Sequence, residues 1–212
     1  SALIPSYAHQ LDAGATPVTI RQLLNHTSGV PDFLDILDPF DLENYPESLD
    51  LLLEAIAQVP LLFDPGEEYH YSNSGYLYLG RIIEAVTGRT WEAALNERIV
   101  DPLHLRRTWL TPPDNRGDLA TGYLSIQGFV LPVSRFGRPD LAEAAGGLTS
   151  TTADLLIWLD AFMAGAIVPT ETVREMLEPG ESGYGLGWEE LDVNGVHWQG
   201  HFGQTIGFRT AM

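Results

Sequence analysis

The 212-residue sequence contains no cysteine, and all 11 of its basic residues are arginine, so lysine is missing as well. Without thiols there are no disulfides, no thiol catalysis and no cysteine-based zinc site. Without lysine there is no amine to act as a general base, and arginine cannot replace it, because a pKa above about 12 keeps it protonated. No apolar run approaches the roughly 20 residues that span a bilayer. No basic start with an apolar middle marks an N-terminal signal peptide. The net charge of −18 runs against nucleic-acid binding, which needs clustered Lys and Arg for phosphates. An acidic surface of this kind serves solubility first. Internal repeats, low-complexity linkers, H-E-x-x-H and G-x-S-x-G are all missing.

What remains is a globular composition, 44% hydrophobic with 5 Trp, 8 Tyr and 8 Phe, able to bury a core. A short helix is expected at Thr19–Leu24, capped by the Thr19 hydroxyl, with Gly29 taking a left-handed turn beyond its end. Leu49, Leu52, Leu53 and Ile56 share one face of a helix near Ser48–Gln58. Phe63-Asp64-Pro65-Gly66-Glu67 is a turn. It leads into Tyr71-Ser72-Asn73 and a periodic helix from about Ser74 to Val86, stopped by Thr87-Gly88. Further helices are expected at Thr90–Val100, Ala153–Ala164 and Glu171–Leu177. Thr111–Gly146 reads as loops with at most short strands. Tyr184–Trp188, Val193–Trp198 and Thr205–Ala211 read as strands separated by Gly and Asn turns. Helices early and a meander late give an α+β arrangement. The expected division is a mainly helical lobe at 1–148 and helices and strands of a sheet lobe at 149–212, both within one bilobal domain. A last strand ending at Met212 would be an unpaired edge, so the chain is expected to be truncated.

Three clusters are candidates for chemistry. Tyr71-Ser72-Asn73 sits at a loop-to-helix junction, where a phenol and an amide can face one cavity; a buried tyrosine beside an ordinary cap is the alternative. Gly200-His201-Phe202-Gly203-Gln204 opens a late strand, and glycine on both sides of His201 allows a ligand to approach the backbone. A strand-turn histidine without a role is the alternative there. His26-Thr27-Ser28-Gly29 places Ser beside His, but adjacent residues in a helix-ending turn rarely aim at each other, and no strand-turn-helix elbow surrounds Ser28. His197 and His201 stand four apart, the spacing of helical zinc ligands. In extended chain they lie too far apart to chelate together, so neither a metal nor another cofactor is expected.

Taken in order, Thr19–Gly29, Pro65-Gly66, Tyr71-Ser72-Asn73, Gly146-Gly147-Leu148 through Asp154-Leu155, Tyr184-Gly185-Leu186-Gly187 and His201-Phe202-Gly203 resemble the serine β-lactamase and penicillin-binding protein family. The closer likeness is to its class C β-lactamase and D-alanyl-D-alanine carboxypeptidase branch, which also holds esterases and D-aminopeptidases. The resemblance implies a β-lactamase/transpeptidase-like fold, with an antiparallel sheet flanked by helices and a mainly helical lobe. It also implies serine acyl transfer through an acyl-enzyme.

That family uses S-x-x-K, Y-x-N and K-T-G or H-x-G. The resemblance makes Tyr71 the proton shuttle, Asn73 a ligand for the substrate amide and His201 the counterpart of the third-motif lysine. Gly203 and Phe202 then line the substrate, Phe202 departing from the usual small or hydroxyl residue. The Gln204 backbone N–H becomes an oxyanion donor, whose loss costs on the order of 100- to 1000-fold in rate. With no lysine, S-x-x-K is not in this chain. The implied segments before and after are missing too, so the fold is expected to be truncated at both ends and the chain inactive. A non-catalytic binding relative, or an esterase using another serine, stays open. The implied substrate is a D-Ala-D-Ala peptide, a β-lactam or an ester, selected by loops such as Leu34–Pro46 and Pro112–Pro139. A periplasmic or extracellular location follows from the resemblance alone. Exposed apolar patches, an oligomer covering them, or missing complementary segments are expected.

Overall fold

The computed structural model describes residues 2–37, 46–110, 119–126, 128–132 and 139–212. Most of the two loops expected to select substrate lies outside these. The first half is helical. A 3₁₀ turn at Pro5–Tyr7 runs into α1 (Ala8–Leu11), followed by α2 (Ile20–Leu24), α3 (Phe33–Ile36), α4 (Leu49–Ala57), α5 (Asn73–Thr87) and α6 (Trp91–Leu95). After the hairpin β1 (Tyr123–Ile126) and β2 (Phe129–Pro132) come α7 (Pro139–Ala142), a 3₁₀ turn at Glu143–Ala145, α8 (Thr152–Met163) and α9 (Thr170–Leu177). Strands β3 (Glu189–Val193), β4 (Val196–Gly200), β5 (Phe202–Thr205) and β6 (Phe208–Ala211) end the chain. No helix among the described residues is long and apolar enough to cross a membrane.

Local chemistry sets these boundaries. Thr19 and Gln22 form a reciprocal capping box at α2, Thr19 Oγ1 accepting from the Gln22 N–H and Gln22 Oε1 from the Thr19 N–H. Ser48, Ser72, Thr90 and Thr151 each cap a helix through a hydroxyl. Gly88 closes α5 at φ +67° in the left-handed region. The expected helix at Thr90–Val100 is shorter: α6 stops at Leu95 and widens into a π-helical turn at Asn96–Val100.

One core joins α1 to α5. Leu49, Leu52, Leu53 and Ile56 of α4 are buried together with Leu11, Leu23, Val30, Phe33, Leu77 and Tyr78. A buried polar thread fixes its register: Tyr78 Oη donates to Gln10 Oε1 at 2.7 Å, and Gln10 Nε2 donates to the Ile56 and Val59 carbonyls. A second core stacks Trp158, Phe162 and Trp188 at centroid separations of 5.1–6.0 Å. Gly80 lacks a Cβ where one would lie 3.0 Å from the Ala144 Cβ, so α5 packs closely on the Glu143–Ala145 turn.

The strands differ from the expected spans. Tyr184–Trp188 is not a strand, only an isolated bridge from Tyr184 to Glu189. The span Val193–Trp198 contains a turn, because Asn194 and Gly195 both have positive φ (56° and 77°) and reverse β3 into β4. Thr205–Ala211 likewise contains the turn at Ile206-Gly207 between β5 and β6. Among the described residues three antiparallel hairpins result, β1–β2, β3–β4 and β5–β6. Phe129, Val130, Leu156, Trp198 and Phe202 are each more than half exposed. A cavity of about 560 Å³, lined mostly by apolar side chains such as Ile20, Leu24, Leu79, Ile83, Val86 and Ile99, opens between α2, α5 and α6.

Candidate functional site

Ser72 is extended (φ −143°, ψ 109°) and caps α5, its Oγ accepting from the Gly75 N–H at 3.2 Å. Residues two apart in extended chain share a side, so Tyr71 and Asn73 face the same space. His201 reaches that space from the β4–β5 junction. Tyr71, Asn73 and His201 line one cavity of about 220 Å³ with Tyr76, Tyr184, Ala144, Ala145 and Gly187. Phe202, Gly203 and Gln204 do not line it; Phe202 and Gln204 are exposed.

The glycines flanking His201 have a structural use. A Cβ on Gly200 would lie 2.1 Å from the Met212 carbonyl oxygen, and one on Gly203 2.3 Å from Thr210 Oγ1. His201 and Met212 exchange both backbone hydrogen bonds, at 3.0 and 3.1 Å, extending the β5–β6 ladder. The close approach expected of a ligand at these glycines is made by β6 and by Met212 just after it.

His201 is held at both ring nitrogens. The Phe202 carbonyl, which can only accept, lies 2.6 Å from Nδ1, so Nδ1 carries the proton in the neutral ring. Nε2 then accepts from the Tyr184 hydroxyl at 2.9 Å, with Glu189 Oε1 3.7 Å away. His197 lies on the exposed part of β4, its Nδ1 3.5 Å from Glu190. Among the described residues, no three His, Asp or Glu side chains are grouped to hold a metal ion.

Asn73 is locked by a residue the sequence did not point to. Asp32 Oδ2 accepts from both the Asn73 N–H (2.9 Å) and Asn73 Nδ2 (2.7 Å), while Oδ1 caps α3 through the Leu34 N–H. Tyr71 is 37% exposed, yet burial of much of its ring and the nearby Asp32 and Glu189 carboxylates push its phenol up to about 12. Burial likewise raises Tyr76 and Tyr184. All three phenols are therefore neutral donors at ordinary pH.

Behind Tyr71 sits His26, fully buried and ringed by Tyr69, Tyr71, Tyr76 and Tyr184 at centroid distances of 4.1–6.1 Å. It occupies the left-handed position just past α2 (φ +59°), and Thr27 N–H returns to the Gln22 carbonyl at 2.9 Å as in a Schellman turn. The left-handed residue expected immediately beyond α2 is thus His26; Gly29 is also left-handed, with the Phe63 carbonyl where a Cβ would stand. Burial, helped by the neighbouring His201 and His70, drives the imidazole down to about 3, so it stays neutral. Ser28 is buried, its Oγ accepting from the Val30 N–H, and takes no part in the cavity.

The family model described as Beta-lactamase matches residues 2–212. The chain belongs to the beta-lactamase family. It is 29% identical to penicillin-binding protein 4 of Amycolatopsis lactamdurans over 97% of this chain and 58% of that protein. A D-stereospecific amidohydrolase from Streptomyces has a solved structure with TM-score 0.79, 29% identity, and coverage of 97% of this chain and 66% of its own. The D-amino acid amidase of Ochrobactrum anthropi SV3 also superposes at TM-score 0.79, with 27% identity over 95% of this chain and 61% of that one. The fold is accordingly β-lactamase/transpeptidase-like, and this chain spans roughly three-fifths of the length of these relatives.

Proposed function

We propose that these residues form one wall of the acyl-transfer site of a serine hydrolase, and that the chain by itself does not turn over. The observation that carries this is the convergence of Tyr71, Asn73 and His201, 130 residues apart at the extremes, on one cavity. Acyl transfer needs a nucleophile, a base for its proton, and donors aimed at the developing oxyanion. Asn73 supplies an amide already oriented by Asp32, and Tyr71 a phenol at the cavity wall. The Gln204 backbone N–H remains the proposed oxyanion donor, with Phe202 and Gly203 beside the substrate on the strand.

A phenol pushed up to about 12 is not a base at neutral pH. It becomes one only beside positive charge, which lysine supplies in the family. His26 is held neutral, and the Nε2 of His201 is taken up by Tyr184. The same facts favour a second reading, a binding relative that keeps the cleft without chemistry, and an esterase is a further alternative. The division into 1–148 and 149–212 is retained as two parts of one catalytic domain. Its substrate would be a D-configured amide or D-Ala-D-Ala peptide, a β-lactam or an ester, and the names of the solved relatives favour the D-amide.

Titrating the isotope-labelled chain with D-phenylalanine amide and with D-alanyl-D-alanine tests the cavity. The expected outcome is concentration-dependent NMR shifts at Tyr71, Asn73 and His201 with at least one ligand. Shifts confined to other residues, or none, would count against a substrate cavity here.

A further inference from the structure

The His26-Thr27-Ser28-Gly29 turn has no role in the chemistry above, yet its histidine touches the Tyr71 segment in three ways. The His26 carbonyl accepts the His70 N–H at 2.9 Å, and its ring Nδ1 accepts the Ser72 N–H at 3.1 Å. One residue therefore holds the backbone amides on both sides of Tyr71. Between these two bonds the imidazole lies against the Tyr71 ring, centroids 4.1 Å apart and planes inclined by 35°.

From this geometry we infer that His26 is the positioning residue that sets the direction of the Tyr71 phenol. The assignment rests on Tyr71 being the proton shuttle. A backbone N–H can only donate, so the bond from Ser72 fixes His26 with Nδ1 bare and its proton on Nε2. That Nε2 is buried and has no hydrogen-bond partner among the described residues, a cost normally avoided in a folded interior. The ring is accordingly placed by the Nδ1 bond and by the tyrosines on its faces. Tyr69, Tyr76 and Tyr184 close the remaining sides, so the imidazole cannot swing away without displacing a tyrosine. At this left-handed position the carbonyl and the ring of one residue both reach the segment that leads into α5. Histidine is among the few non-glycine types that enter that region with any frequency.

The consequence is that residue 26 needs an acceptor at the Nδ1 position and tolerance of positive φ, more than it needs an imidazole. Asparagine offers both; phenylalanine keeps only the ring. The test compares His26→Asn and His26→Phe with the natural chain by amide hydrogen exchange at Ser72 and by carbon-13 titration of the Tyr71 phenol, with α4 amides as the folding control. His26→Phe is expected to speed Ser72 exchange at least tenfold and to lower the Tyr71 titration midpoint by a pH unit or more, with α4 unchanged. His26→Asn is expected to keep Ser72 within about threefold of the natural chain and to bring the Tyr71 midpoint back to within half a unit. Unchanged Ser72 and Tyr71 signals in His26→Phe would overturn the assignment, as would equal losses in both variants together with α4. Should His26→Phe not fold, nitrogen-15 shifts of the natural chain decide: a bare Nδ1 supports the assignment, and a protonated Nδ1 at pH 7 overturns it. None of these readouts involves turnover, so a result against the proposed hydrolase leaves this test intact.

Discussion

Asp32 binds Asn73 twice through one carboxylate oxygen, at 2.9 Å from the backbone N–H and 2.7 Å from Nδ2, across 41 residues of sequence. Because the other oxygen caps α3, one buried side chain couples the start of α3 to the start of α5. Hydrogen bonds to a charged acceptor contribute about 1.5–3 kcal/mol each, and losing the acceptor leaves donors unpaired. Asp32→Ala is therefore expected to lower unfolding free energy by about 3 kcal/mol, with Asp32→Asn costing less, as read from urea melts. The Asn73 side-chain amide should lose its distinct NMR position in Asp32→Ala.

Tyr71 should titrate late. Difference absorbance between the chain and Tyr71→Phe is expected to show one phenol ionising near pH 12. The folded value lies above the unfolded one of about 10, so the native state holds this proton longer. Its contribution to stability is full below pH 10 and disappears as pH rises from about 10 to 12. A midpoint near 10 would contradict the acidic, partly buried setting described for the ring.

His26 works in the opposite direction. Its folded value of about 3 lies below the unfolded value of about 6.5, so the unfolded chain takes up the proton first. Its contribution is present above pH 6.5 and is lost as pH falls from 6.5 towards 3. Urea melts across that window should show a steeper acid decline for the natural chain than for His26→Asn. Equal slopes would mean that the imidazole is not kept neutral.

How much of this was legible in sequence depends on range. The Thr19 cap is local chemistry legible in sequence, and Ser48, Ser72 and Thr151 cap their helices by the same rule. Tyr71, Asn73 and His201 belong to an ordered set of short motifs, which implies a common site without giving its geometry. Asp32 carries no motif signal, and His26 is legible only as a doubtful partner for Ser28; the contacts that matter, to Asn73 and Ser72, lie more than 40 residues away. Tyr184 carries only a strand pattern and a family motif in sequence; its bond to His201 depends on the turn before β3 meeting the end of β4. The late strand bounds differ from the sequence pattern because the two-residue turns Asn194-Gly195 and Ile206-Gly207 lie inside apolar runs, where hydrophobic periodicity does not mark them.

The apolar cavity between α2, α5 and α6, together with the exposed Val86 on its rim, gives the chain accessible apolar surface. An environment-sensitive dye such as anilinonaphthalene sulfonate should bind the folded chain, and Ile83→Glu should weaken that binding severalfold without changing the far-UV circular dichroism. Dye binding unaffected by Ile83→Glu would place the accessible surface elsewhere.

The central claim is that the chain carries an acyl-transfer wall without its own nucleophile motif. Incubation with a fluorescent penicillin and with an alkyl fluorophosphonate, followed by intact-mass analysis, addresses it most directly. The expected result is an unmodified mass with both reagents. A stoichiometric adduct that maps to one serine of this chain would contradict it.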